Sequence, residues 1–263
     1  MYHISMTALT IAEARSIACK IADGYSRPRF YCEYENQATL SQNIYKTHPL
    51  VESFSSLICN SEDDFGHGSY HSEMVALDTA AIVAVERGFE TVDGLTADDT
   101  QFLVSAHVAG LLHDIKRKQK RHSLAGAREA EKILAHTELA GIWQERIVTA
   151  IRNHEAFQEQ VPVSDEEGRL LSDALYDADK FRWGPDNFTR TLWDMLEYAD
   201  ISVNKMLGRY HKSLDGIIRI KDTFRTNTGK EYGPEFIDQG LSIGEEIYRQ
   251  LNEKIERMGD DAE

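Results

Sequence analysis

The chain has 263 residues, 41% of them hydrophobic and 28% charged, a balance that permits a sizeable buried core and excludes wholesale disorder. Its formal net charge of −15 repels nucleic-acid phosphates, so long nucleic acid is not an expected partner. No apolar run approaches membrane-spanning length, Met1 to Cys19 lacks the basic start and apolar stretch of a secretory leader, and Cys19, Cys32 and Cys59 lack CxxC spacing. A membrane, a disulfide framework and a zinc ribbon are therefore not expected, whereas a cytoplasmic setting with reduced thiols is.

In chain order, the first helix is predicted over Thr7 to Ala22, and an aromatic and polar stretch from Tyr25 to Pro49 follows without an assignable element. A turn-rich segment, Asp63 to Gly68, precedes a helix over Ser72 to Arg87; a loop from Gly88 to Ala97 precedes another over Asp98 to His113. Directly after His113-Asp114, Lys116, Arg117, Lys118, Lys120 and Arg121 put five cations into six positions, against the acidic trend. Helices are then predicted over Ser123 to His136, Ile142 to Phe157 and Glu166 to Phe181, with loops at Val161 to Asp165 and Gly184 to Asn187, and a last one over Ile243 to Met258. Alternating strand patterns are scarce, so the fold class is all-α. One main helical domain is expected at residues 61–215, with a helical extension over 1–60 and a helical appendage over 216–263 packed on the same domain.

A titratable side chain on the apolar face of a helix must be paired, hydrogen-bonded or bound to metal. His71 stands one turn before Val75 and in line with Ile82, and Asp179 follows Leu171 and Leu175 at spacings of eight and four, so both point inward. His113 and Asp114 close the apolar helix that runs through Leu111-Leu112. His122 opens a helix whose Gly126, Ala130 and Ile133 share a face, and His154 continues the face of Ile147 and Ile151. Imidazoles with carboxylates, and no thiolate, suit a divalent ion such as manganese, iron, magnesium, nickel or zinc, with His122 and His154 available to complete a second ion site. His107 is expected to be an internal hydrogen-bonding group and His67 a helix cap; His3, His48, His136 and His211 are left as surface or structural. Glycines such as Gly66 and Gly68 form no phosphate-cradling fingerprint, so a P-loop or Rossmann reading is rejected.

The ordered segments His71-Ser-Glu-Met-Val-Ala, Leu111-Leu112-His113-Asp114 and Asp177-Ala-Asp179-Lys180 resemble the H…HD…D signature of the HD-domain superfamily of metal-dependent phosphohydrolases over roughly Gly66 to Trp193. The resemblance implies a helical bundle in which His71, His113, Asp114 and Asp179 hold a divalent metal that activates water against a phosphate ester of a small anionic substrate, a nucleotide or phosphorylated metabolite. It also implies roles for Asp114 in orienting that water and accepting its proton, and for Lys180, Arg117, Lys116 and Arg121 in engaging the substrate phosphate. Arg117 stands where one nucleotidase-like pattern has Glu, which argues against a simple 5′-nucleotidase. His122-Ser-Leu-Ala-Gly-Ala and Ile151-Arg-Asn-His154 resemble the extra histidines of dinuclear HD proteins, so a dinuclear iron oxygenase and a ligand sensor without turnover stand as alternatives, and the oligomeric state is open.

Overall fold

A computed structural model of the chain describes residues 9–59, 68–163 and 165–260. His3 and His67, and parts of the loops expected at Asp63 to Gly68 and Val161 to Asp165, lie outside the described residues. The described residues form thirteen α-helices, one 3₁₀ turn and one π-helical turn, with no strand among them. The fold is all-α, as the periodicities require.

Helix α1 (Ile11–Ala22) begins at Thr10, whose hydroxyl accepts from Glu13 N while the Glu13 carboxylate accepts from Thr10 N, a reciprocal cap that satisfies two end donors. The stretch left unassigned by the sequence holds α2 (Arg29–Glu33) and α3 (Glu35–Thr47). The buried face of α3 is Gln37, Leu40, Ser41 and Ile44, and two polar members at helical spacing hide its periodicity. After α4 (Pro49–Cys59) come the central helices α5 (Ser69–Arg87), buried without a break from Asp78 to Ala84, and α6 (Ala97–Leu112), buried from Phe102 to its end. Helices buried on most of their circumference belong inside a bundle, and these two lie side by side there. Their approach is close: a Cβ at Gly110 would stand 2.3 Å from the Ala76 Cα, so only glycine permits this spacing.

Three helices, α7 (His122–Leu134), α8 (Gly141–Asn153) and α9 (Glu166–Phe181), complete the bundle around that pair. The predicted run to Phe157 ends early, at Asn153. There the side-chain amide exchanges hydrogen bonds with both backbone groups of Val161, at 2.9 and 3.0 Å, and turns the chain. Phe157 itself has φ +62°. A π-helical turn, Asn187–Thr191, runs into α10 (Leu192–Tyr198), followed by α11 (Val203–Leu207) and α12 (Tyr210–Ile220).

The last helix, α13 (Asn227–Asp260), has 34 residues, starting sixteen positions before the predicted Ile243. Its glycines and Pro234 read as breakers in sequence, yet Gly229, Gly233, Gly240 and Gly244 are where other parts of the chain touch it: a Cβ at Gly240 would lie 2.7 Å from the Gly184 Cα. Asp177 of α9 fastens its start by accepting from Arg225 N, Thr226 N and Thr226 Oγ1, at 2.7–2.8 Å. Thr226 Oγ1 in turn accepts from Gly229 N, and Glu86 of α5 accepts from Thr228 N and Oγ1. Phe181 stacks on Phe236 at 4.1 Å between ring centres, and Phe30 meets both edge-on or tilted, at 5.4 and 6.5 Å. One apolar cluster thus runs from Leu9 through the bundle to Leu251, and α2 and α13 clamp the end of α9 that carries Asp179.

Candidate metal centre

Each side chain of the cluster sits at a helix end. His71 lies in the first turn of α5, His113 and Asp114 directly follow α6, His122 opens α7, His154 follows α8, and Asp179 is in the last turn of α9. The close crossing of α5 and α6 at Gly110 brings His71 and His113 together. Five of the six are buried and His122 is nearly so.

His71 Nε2 lies 3.2 Å from His113 Nε2 and 3.4 Å from Asp179 Oδ1; Asp114 Oδ2 is 3.5 Å from His113 Nε2 and 3.9 Å from His71 Nε2. Asp179 Oδ1 is also 3.8 Å from His113 Nε2. Ligand atoms about 2.1 Å from one ion stand roughly 3.0–3.4 Å apart at octahedral or tetrahedral angles, so these spacings fit donors converging on one centre. The other oxygen of Asp114 faces the opposite way: Oδ1 is 3.4 Å from His154 Nε2 and 3.5 Å from His122 Nε2. Two triads, His71-His113-Asp114 and Asp114-His122-His154, therefore share Asp114, and in each the ligand atoms lie within 4.8 Å of one another. The cluster can hold a metal ion.

The tautomers support this. His113 Nδ1–H donates to the Gly110 carbonyl at 2.7 Å, and His154 Nδ1–H to the Ile151 carbonyl at 2.6 Å; a carbonyl only accepts, so both rings turn a lone-pair Nε2 into the cluster. A backbone-anchored Nδ1–H is the usual support of a ligating imidazole. Burial pushes the His113 pKa down to about 3, which keeps the ring neutral and its lone pair available. Burial would raise Asp179, but the Lys180 ammonium and the two neighbouring imidazoles hold its carboxyl well below the ordinary range.

Of the cations expected at the substrate, Lys180 and Arg117 reach the cluster. Lys180 is buried, and its ammonium donates to Asp179 Oδ2 and, at 3.1 Å, to the His154 carbonyl. Arg117 donates to His122 Nε2 at 2.9 Å, and its Nε is 3.9 Å from Asp114 Oδ2. Arg117 thus occupies the lone pair that His122 would offer an ion. Lys116 instead pairs with Glu129 at 3.2 Å, Lys118 lies over the Tyr198 ring, and Arg121 is exposed, with φ +55°, just before α7. Glu155, which the sequence reading passed over, accepts from Ser123 Oγ at 2.9 Å and lies 3.7 Å from His122 Nδ1; its position next to His154 was the available signal.

Outside the cluster, the fully buried His107 faces the backbone of Ser41 and Ala76 from inside the core, without a closely aligned hydrogen bond at either ring nitrogen among the described residues. Its ring packs edge-on against Tyr45 at 5.7 Å. The three cysteines are exposed free thiols. No described helix is long and apolar enough to cross a membrane. Compared with protein-family models, with curated proteins and with solved structures, the chain matches none, so a reading of the site rests on its own chemistry.

Proposed function

We propose that the cluster binds a divalent metal through His71, His113, Asp114 and Asp179, and that the protein hydrolyses a phosphate ester of a small anionic substrate, as the resemblance to HD-domain phosphohydrolases implies. The observation that carries this reading is the donor set itself. Imidazole nitrogens and carboxylate oxygens from three helices meet at 3.2–3.9 Å without a thiolate, in a buried site with two cations beside it. A divalent ion in such a site supplies a hydroxide equivalent at neutral pH and a Lewis acid for a phosphoryl oxygen.

The chain's own groups supply the rest. Asp114 Oδ1, turned away from His71, orients the attacking water and accepts its proton. Lys180 keeps Asp179 ionised and aligned, and with Arg117 it offsets negative charge developing on phosphate oxygens. The low exposure of the cluster strengthens each of these interactions by excluding water.

A second reading, a dinuclear centre extending to oxygenase chemistry, is favoured by one observation: Asp114 presents its two oxygens to two separate histidine pairs. Elemental analysis of the purified chain, paired with a screen of phosphomonoesters and nucleotides and with oxygen uptake, tests both. Close to one manganese, nickel or magnesium per chain with phosphate release supports hydrolysis. Two irons with oxygen consumption and no phosphate release transfers the assignment to the second reading, and a metal-free protein refutes both.

A further inference from the structure

Beside His71 a cavity of about 140 Å³ opens between the start of α5 and the π-helical turn, lined by Tyr70, His71, Arg182, Asp186, Arg190 and Asp194 with their neighbours. His71 is buried, whereas Tyr70 and Arg190 are exposed, so the cavity lies between an exposed Tyr70-Arg190 rim and His71, the one cluster residue that lines it. Its hydrogen-bonding groups are unequally matched. Arg182 donates to Asp186 at 2.6 Å and is paired with Asp78, and Asp194 is paired with Arg15 at 2.6 Å. Among the described residues Arg190 has no carboxylate partner; its guanidinium lies over the Tyr70 ring at 3.8 Å, which fixes its plane and leaves its N–H edge uncommitted. The buried Nε–H of Arg182 also lacks a hydrogen-bond partner among the described residues. The named charges of the wall and their partners balance, Arg15, Arg182 and Arg190 against Asp78, Asp186 and Asp194, but the wall holds surplus donors in the Arg190 N–H edge and the Arg182 Nε–H.

We propose that this cavity is a second anion subsite, in which Arg190, held flat by Tyr70, receives a further phosphate or carboxylate of a substrate whose reacting phosphoryl group lies at the metal cluster. The inference rests on the metal-site reading and narrows its substrate class to molecules with two anionic groups, a diphosphate or a phosphorylated carboxylic acid, over simple monoesters. An isolated monoester reaches the cluster alone. A substrate with a second anionic group also gains the planar, two-pronged hydrogen bonding that a guanidinium gives to phosphate and carboxylate. The π-helical turn suits the task because the extra residue it inserts re-aims side chains, and such turns occur often at functional sites.

Calorimetry on the full chain loaded with manganese tests this with three probes that contain no bond to hydrolyse: methylphosphonate, with one anionic group; methylenediphosphonate, with two phosphonates; and phosphonoacetate, with a phosphonate and a carboxylate. Wild type is expected to bind at least one two-headed probe about tenfold or more tighter than methylphosphonate, and Arg190→Ala to abolish that preference while leaving methylphosphonate affinity and manganese content unchanged. Arg190→Lys, which keeps the charge but not the fork, is expected to retain part of it. Which two-headed probe is preferred assigns phosphate or carboxylate to the subsite. No preference in wild type, or an equal preference in Arg190→Ala, overturns the subsite while the metal reading stands; failure to retain manganese overturns the metal reading and this inference with it.

Discussion

At the scale of single residues, Asp114 is the hinge of the site, because its two oxygens serve two histidine pairs while His113 and His154 are locked by backbone carbonyls. Replacing His113 or Asp179 by alanine is expected to abolish metal retention and turnover with helicity intact, since each side chain ends in the cluster and carries little of the apolar core. Metal content and far-ultraviolet circular dichroism on the same samples decide it; full metal occupancy in both variants refutes the ligand assignment. Arg117 makes the opposite prediction. Because its guanidinium takes the His122 lone pair, Arg117→Ala is expected to bind more ion per chain than wild type in a manganese titration, and His122→Ala with His154→Ala to bind no more than wild type. Identical ratios in wild type and Arg117→Ala would show that the arginine does not guard the second triad.

At the scale of helices, the site depends on two junctions remote from its chemistry. The first is the α5–α6 crossing, where a side chain at position 110 would collide with the Ala76 backbone. Gly110→Ala is expected to destabilise the fold by ~1–3 kcal/mol through forced separation of the two helices. The same separation pulls His71 from His113, so metal affinity is expected to fall although neither ligand is touched. A variant that loses stability but keeps wild-type affinity in a chelator competition would break that link. The second junction is the start of α13, where Asp177 accepts three hydrogen bonds in a buried setting that pushes its pKa up to about 6. Asp177→Ala strands the Arg225 and Thr226 N–H groups and is expected to cost ~1–3 kcal/mol, read as a lowered urea midpoint.

For the whole molecule, acid stability follows from burial. His107 has a pKa of about 3 in the fold, against about 6.5 for an exposed histidine, because burial, with His48 adding to it, disfavours its charged form. Between those values the unfolded chain binds a proton that the folded chain refuses. This contribution is thus complete above pH 6.5 and declines as pH falls towards 3, by about 1.4 kcal/mol per pH unit. Asp78 and Asp177, both pushed up to about 6 by burial, act in the opposite sense: their contribution is present below the ordinary carboxylate range and lost as pH rises through 6. The difference between wild type and His107→Leu isolates the histidine. The variant's melting temperature is expected to decline less than that of wild type from pH 6.5 to 4.5, and parallel declines would refute the assignment.

The helical class, the boundaries of Glu166–Phe181 and the inward direction of His71, Asp179 and His154 were legible in the sequence, because helical periodicity is local and a titratable residue on an apolar face stands out against it. The helices within Tyr25 to Pro49 were not, since Gln37 and Ser41 on the buried face of α3 mimic a solvated segment. Nor was the length of α13, whose glycines look like breakers until Gly184 is seen lying against one of them. The partition of Asp114 between two histidine pairs and the pairing of Arg190 with Tyr70 were decided by tertiary structure alone. Each depends on ångström-scale approach between helix ends that the chain separates by up to 120 residues, as Tyr70 and Arg190 are, and periodicity says which way a side chain faces but not what it will meet there.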